Sequence, residues 1–192
     1  MRKGNPLILQ FNIALMWLLC LPGCDILLEN PTSTQTTIER KEPWAGMWIL
    51  AGEDIHIWVH MRWVDEFLDL TIVYPDDTDT VELRCIVDEI DGVYYLNAFG
   101  REDDSMDGYF LYRLRLKNHK TLYLDFFDNQ KVKNAIKESK LEGHINPNRI
   151  LLNTTLSLST KELRRFLRSE QSASYFKAAG ALERIEFDVP VF

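Results

Sequence analysis

His56 and His60 stand four residues apart, the spacing at which two imidazoles on one helix can share a metal ion. The residues around them alternate instead, with Ile55, Ile57, Val59, Met61 and Trp63 on one face and His56, Trp58, His60 and Arg62 on the other. Period two is the pattern of a strand. On a strand these histidines lie ~13 Å apart, whereas zinc needs donors within about 2.1 Å of itself, so they read as surface or half-buried side chains. Asp103-Asp104-Ser105-Met106-Asp107-Gly108 has the alternate oxygens and sixth-position glycine that open a calcium loop. Leu114 stands where that loop needs its bidentate glutamate, and the stretch reads as an acidic hairpin turn. There is no Gly-x-Ser-x-Gly, no phosphate-binding glycine loop and no Cys-x-x-Cys. Asp65, Glu66 and Asp69 crowd one turn and Asp76, Asp77 and Asp79 another, where water solvates them. No cofactor or metal is expected, and a hydrolase would need carboxylates that the fold assembles from distant positions.

One charged face stands out. Arg113, Arg115 and Lys117 share a strand side with Tyr109 and Leu111, and like charges ~7 Å apart repel unless water or acids meet them. Pairing with Asp125 or with the acidic turns makes this a solvated face. The sharper alternative is a patch for an anionic ligand or partner in an otherwise acidic protein.

The elements that position these residues are mostly short strands. Alternation predicts strands over Trp44 to Ala51, Asp54 to Trp63, Glu66 to Tyr74, Val81 to Ile90, Gly92 to Phe99, Gly108 to Lys117 and Lys120 to Phe127, separated by turn residues such as Asp91-Gly92 and Asn118-His119. Seven strands in succession form an antiparallel meander that closes into a small barrel or a strongly curved sheet. Helices follow over Asn129 to Leu141 and after Ser159, where Ser159-Thr160-Lys161-Glu162 has the order of a capping box. Ser172 to Ala179 reads as a further helical turn, and Ile150 to Leu158 and Leu182 to Phe187 as additional strands. The C-terminal third is expected to plug or cover the sheet.

Ahead of this domain, Arg2 and Lys3 precede an apolar run from Pro6 to Leu21, interrupted by Gln10 and Asn12. Charge, then apolar, then small residues is the order of a secretory signal, and the interruptions suit a permanent spanning helix poorly. Leu21-Pro22-Gly23-Cys24 ends the run, and Asp25 follows it. This stretch resembles the lipobox of bacterial lipoproteins, although Pro22 stands where that family has a small residue. The resemblance implies cleavage before Cys24, acylation of its thiol and amine, and attachment to an envelope membrane facing the periplasm. An ordinary cleaved signal and an uncleaved anchor are the alternatives. Of the three cysteines, only Cys85 would then remain with Cys24 in the mature chain, and it lies in an apolar strand as a small buried hydrophobe.

Three regions result: a signal at 1–23, the lipidated cysteine with a flexible tether at 24–43, and a single β-rich domain at 44–192. The tether, rich in Thr, Ser, Asn and Gln, would span roughly 25 Å as a coil and about 60 Å stretched. Losing Arg2 and Lys3 with the signal takes the net charge from −7 to −9, which argues against nucleic acid as a partner. Gly46-Met47-Trp48 at the start of the first strand resembles the Gly-x-Trp signature of lipocalins and related calycin barrels. That family's tryptophan closes one barrel end beneath a basic residue from a late strand, and its barrel holds a small apolar ligand. Arg113 or Arg115 would be the basic partner here. The expectation is a non-catalytic envelope protein that binds a small apolar ligand or an envelope protein.

Overall fold

The computed structural model describes residues 26–39, 43–51, 56–74, 80–100, 108–149 and 152–186. The alternating segments form β2 (Gly46–Ala51), β3 (His56–Val64), β4 (Phe67–Val73), β5 (Thr80–Ile90), β6 (Val93–Gly100), β7 (Phe110–Lys117) and β8 (Thr121–Phe127). Each pairs antiparallel with the next, and β11 (Phe176–Arg184) joins β8 to β2 and closes an eight-stranded barrel. Closure removes both sheet edges, which would otherwise expose unpaired backbone donors and acceptors. At one end, here called the lower end, lie the turns after β3, β5 and β7. The second of these is Asp91-Gly92, with φ of +51° and +78° at its two residues, the left-handed pair that a two-residue hairpin turn demands. The upper-end connections 52–55, 75–79 and 101–107 lie outside the described residues, and the acidic turn at 103–107 lies there with them.

Closure depends on a strand that sequence periodicity shows only in part. β11 begins at Phe176, inside the stretch expected as a helical turn; only Ser172–Tyr175 forms one turn of 3-10 helix. A register shift between Ala178 and Gly180 interrupts the ladder with β8, and such a bulge breaks the alternation that would mark the strand.

Period two places two cores on opposite sides of one sheet. Inward side chains from every strand fill the barrel. The second core lies on the outer wall of β5 to β8 and β11, where Ile90, Tyr95, Leu111, Phe127 and Phe176 are covered. Their cover is α1 (Asn129–Lys137), α2 (Thr160–Arg168) and a small sheet of β1 (Ile26–Leu28), β10 (Thr154–Leu156) and β9 (Gly143–Ile145). The C-terminal elements therefore cover the barrel from outside. The capping box forms at α2, with Ser159 bonded to the Glu162 amide and the Glu162 carboxylate to the Ser159 amide, satisfying two donors at the helix start.

Residues 26–39, expected as tether, are instead built into the fold. β1 pairs in parallel with β10 and bridges Tyr109 through Leu28. Thr32 then exchanges hydrogen bonds with Asn97 on the outer wall of β6, at 2.8 and 2.7 Å. Thr36 donates to the Glu66 carbonyl at 2.5 Å and Thr37 to the buried Asp88 carboxylate at 2.7 Å. The Thr and Asn side chains that suggested a solvated coil are the groups that pin this strap. Its last apolar residue, Ile38, joins the barrel core.

Candidate functional site

The barrel interior is the one chamber the strands build together. Leu50 of β2, Ile57, Val59 and Met61 of β3, Leu68, Leu70 and Ile72 of β4 and Leu83 of β5 face it, as do Leu96 and Ala98 of β6, Tyr112 and Leu114 of β7, Leu122 and Leu124 of β8 and Leu182 of β11. No charged side chain lines it. The space that the centre of a water molecule can reach inside is about 80 Å³. A dry apolar cavity of about 150 Å³ accepts a benzene ring, so roughly half that volume is too small for a ring. As it stands it has room only for an apolar ligand smaller than a benzene ring.

Trp48 and Trp44 close the lower end. Trp48 is wholly buried, and its indole N–H donates to the Trp44 carbonyl at 3.1 Å. Trp44 meets Tyr94 edge to face, with ring centroids 5.1 Å apart. The expected cation sits over Trp48, but it is neither Arg113 nor Arg115. Arg184, at the end of β11, places its guanidinium carbon 5.8 Å from the indole centroid and donates from Nη2 to the Ala45 carbonyl at 3.0 Å. Gly46 has φ +133°, and a Cβ there would come within 3.4 Å of that guanidinium. Glycine is needed for the backbone angle, whereas a Cβ would meet Arg184 only at ordinary contact distance. The signal for Arg184 was present in the sequence: two residues after Leu182 in an alternating strand, it faces the same side.

Arg113, Arg115, Lys117 and Tyr109 do share the outer side of one strand, and Asp125 directly across the ladder takes up the two arginines. Asp125 is 2 % exposed and accepts from Arg113 at 2.7 and 3.0 Å and from Arg115 at 3.1 Å. Arg113 also lies over the Phe176 ring at 4.8 Å and Arg115 over Tyr123 at 5.4 Å. Tyr109 packs edge to face on Phe99 at 5.5 Å. Lys117 is exposed at the strand end. Arg113 and Arg115 thus share one buried carboxylate, and the exposed Arg115 and Lys117 leave this strand face net positive.

Two other buried aspartates follow the same rule. Asp69, expected with a solvated turn, lies in β4 and bonds Arg84 at 3.0 Å. Asp88, 0 % exposed, pairs with Arg164 of α2 as well as with Thr37. Both point away from the barrel interior, and on the outer wall Asp69 shares a cleft with Glu82, His60 and Arg62. Among the described residues no group of three His, Cys, Asp or Glu could hold a metal ion. His60 is exposed on the outer face of β3, and the side chain of His56 lies outside the described set. Burial, with a smaller contribution from the Asp69 charge, pushes the Cys85 thiol well above its usual pKa, leaving it a protonated core residue. Burial likewise raises Tyr95, partly offset by Arg113. Among the described residues, the cover over β5 to β8 does not extend to the outer face of β2 to β4, where Trp58 is 37 % exposed. Searches against protein-family models, curated proteins and solved structures find no match to the chain.

Proposed function

We propose that this is an envelope lipoprotein, held by acyl chains on Cys24, whose barrel takes up a small apolar ligand. The observation that carries the binding reading is the interior: a chamber lined wholly by apolar and aromatic side chains, closed below by Trp44 and Trp48, with about 80 Å³ free. The anchor reading rests on Arg2, Lys3, the apolar run and Leu21-Pro22-Gly23-Cys24. For a hydrolase the described residues offer one outer cleft, where Asp69, already bonded to Arg84, and Glu82 lie with His60 and Arg62, while Asp88 and Asp125 are committed to Arg164 and Arg113. An envelope protein as partner is the second reading, favoured by the exposed Trp58 on the uncovered wall.

Uptake of short unbranched alcohols of graded length, followed by titration calorimetry, tests the binding. Ala98→Leu adds three carbons to a wall residue of the chamber and should cut uptake at least tenfold while the melting curve stays cooperative, since overpacking costs ~1–3 kcal/mol. Absence of uptake by the unmodified protein, or equal uptake by Ala98→Leu, would exclude the interior as the binding site. Function would then be sought at Trp58.

A further inference from the structure

The fold takes hold of the chain immediately after the lipidation position. Ile26 is 4 % exposed and pairs with Thr154, and only Asp25 separates it from Cys24. Two residue steps span at most ~7 Å. The polar headgroup layer of one leaflet is itself about 5–7 Å thick. Acyl chains on Cys24 would start at the inner border of that layer, so the flank around Ile26 would have to rest on the headgroups. A standing-off domain on a long tether is ruled out by the same geometry.

The residues on that flank follow from the small sheet. Ile26, Thr154 and Ile145 form its end row. Beyond them the chain turns through Asn146 to Arg149, held by the Asn146 amide on the Asn153 carbonyl at 2.6 Å and the Asn148 amide on the Asn146 side chain at 3.0 Å. Pro147, Asn148 and Arg149 are exposed. α1 starts at this end, its first residue Asn129 accepting a hydrogen bond from Thr154 at 3.4 Å, and runs toward the opposite end of the small sheet, where Ile136 lies beside Gly143. Lys131, Lys133 and Arg149 on this side stand against Asp25 and the N-cap Asp128, a net charge of +1. The short link to Cys24, rather than charge, sets which flank would meet the membrane.

We propose that the flank made by Ile26, the 146–149 turn and the start of α1 rests on the bilayer surface; this depends on acylation of Cys24. The test uses the full chain produced in a bacterium, purified in mild detergent and reconstituted in phosphatidylglycerol–phosphatidylethanolamine vesicles. Single cysteines replace Asn148, Lys133 or, on the uncovered barrel wall, His60, and each reacts with a bulky polyethylene-glycol maleimide; Cys85 is buried. Relative to the unanchored Cys24→Ser chain beside the same vesicles, Asn148→Cys and Lys133→Cys should react at least tenfold more slowly, and His60→Cys at the same rate. Equal slowing at all three positions, or none, overturns the placement while leaving the anchor intact. Loss of the premise shows separately: if fatty-acid labelling is unchanged by Cys24→Ser, the anchor reading fails and the placement with it.

Discussion

Truncating Trp48 to alanine probes the closed end of the barrel, and its magnitude can be worked from the contacts. The ring is wholly buried, donates to the Trp44 carbonyl at 3.1 Å and carries Arg184 on its face at 5.8 Å. Removing a buried tryptophan costs about 3–5 kcal/mol. The lost hydrogen bond and cation–π contact push this site toward the upper end of that range, since each is worth about 1 kcal/mol. Arg184→Ala keeps the ring and loses the cation and its bond to Ala45, for about 1.5–2 kcal/mol. At roughly 2–4 °C per kcal/mol for a domain of this size, Trp48→Ala should lower Tm by about 8–20 °C and Arg184→Ala by about 3–8 °C. Trp58→Ala, on the open outer wall, should change stability by less than about 1 kcal/mol. Urea unfolding followed by far-ultraviolet circular dichroism avoids relying on tryptophan emission. The double variant should fall short of the summed single effects by about 0.5–1 kcal/mol, the signature of direct contact. Trp48→Ala melting within two or three degrees of the unmodified protein, or strict additivity with Arg184→Ala, would refute the closure drawn here.

Removing residues 26–39 should abolish cooperative melting of a fragment starting near Pro43, because Leu27, Leu28 and Ile38 leave the cores and Asn97 and Asp88 lose partners; a cooperative transition in that fragment would show the strap to be dispensable. Asp88→Ala leaves Arg164 without its buried partner and should cost about 3 kcal/mol by urea unfolding, the low end for such pairs because Arg164 is 26 % exposed. Cys85 should resist a thiol reagent at neutral pH in the folded protein and react fully in urea; rapid reaction without denaturant would contradict its burial. Hydrogen bonds from the Ser159 hydroxyl and amide hold the Glu162 carboxyl below its usual range. Its stabilisation of α2 is complete above the ordinary glutamate pKa and fades as pH falls through the lower folded value, so the stability gap to Glu162→Gln should close in acid.

The barrel strands are legible because burial on one wall writes itself as alternation: Lys120 to Phe127 was expected and Thr121–Phe127 is found, and Val81 to Ile90 differs from Thr80–Ile90 by one residue. The strap was illegible for the converse reason. Thr32, Thr36 and Thr37 are ordered by hydrogen bonds to groups 30 to 65 residues away, and a hydropathy pattern carries no trace of such partners. Gly46 and Trp48 lie at the lower end of the barrel, and the cation over the ring is Arg184, whereas the arginines expected there face Asp125. Deciding between Arg113, Arg115 and Arg184 requires knowing that β11 lies beside β2, and pairing between elements more than a hundred residues apart is information that periodicity does not contain.

The distribution of charge narrows where this protein can act. A buried carboxylate is tolerated only when paired and hydrogen-bonded, and Asp69, Asp88 and Asp125 all sit on the outside of the barrel wall with arginines beside them. Two of these pairs do positional work. Asp88 ties β5 to α2 and, through Thr37, to the strap. Asp125 orients Arg113 over Phe176, where β11 begins. The charges therefore fix what covers the barrel, and the interior is left wholly apolar. Introducing Leu70→Asp on the chamber wall would place a carboxylate where no cation is available. Folding should then fail or the acid titrate far above its usual range, while Thr71→Asp, one residue on and facing outward, should fold normally. Equal tolerance of both substitutions would show the interior to be wet, and the case for an apolar ligand would end there.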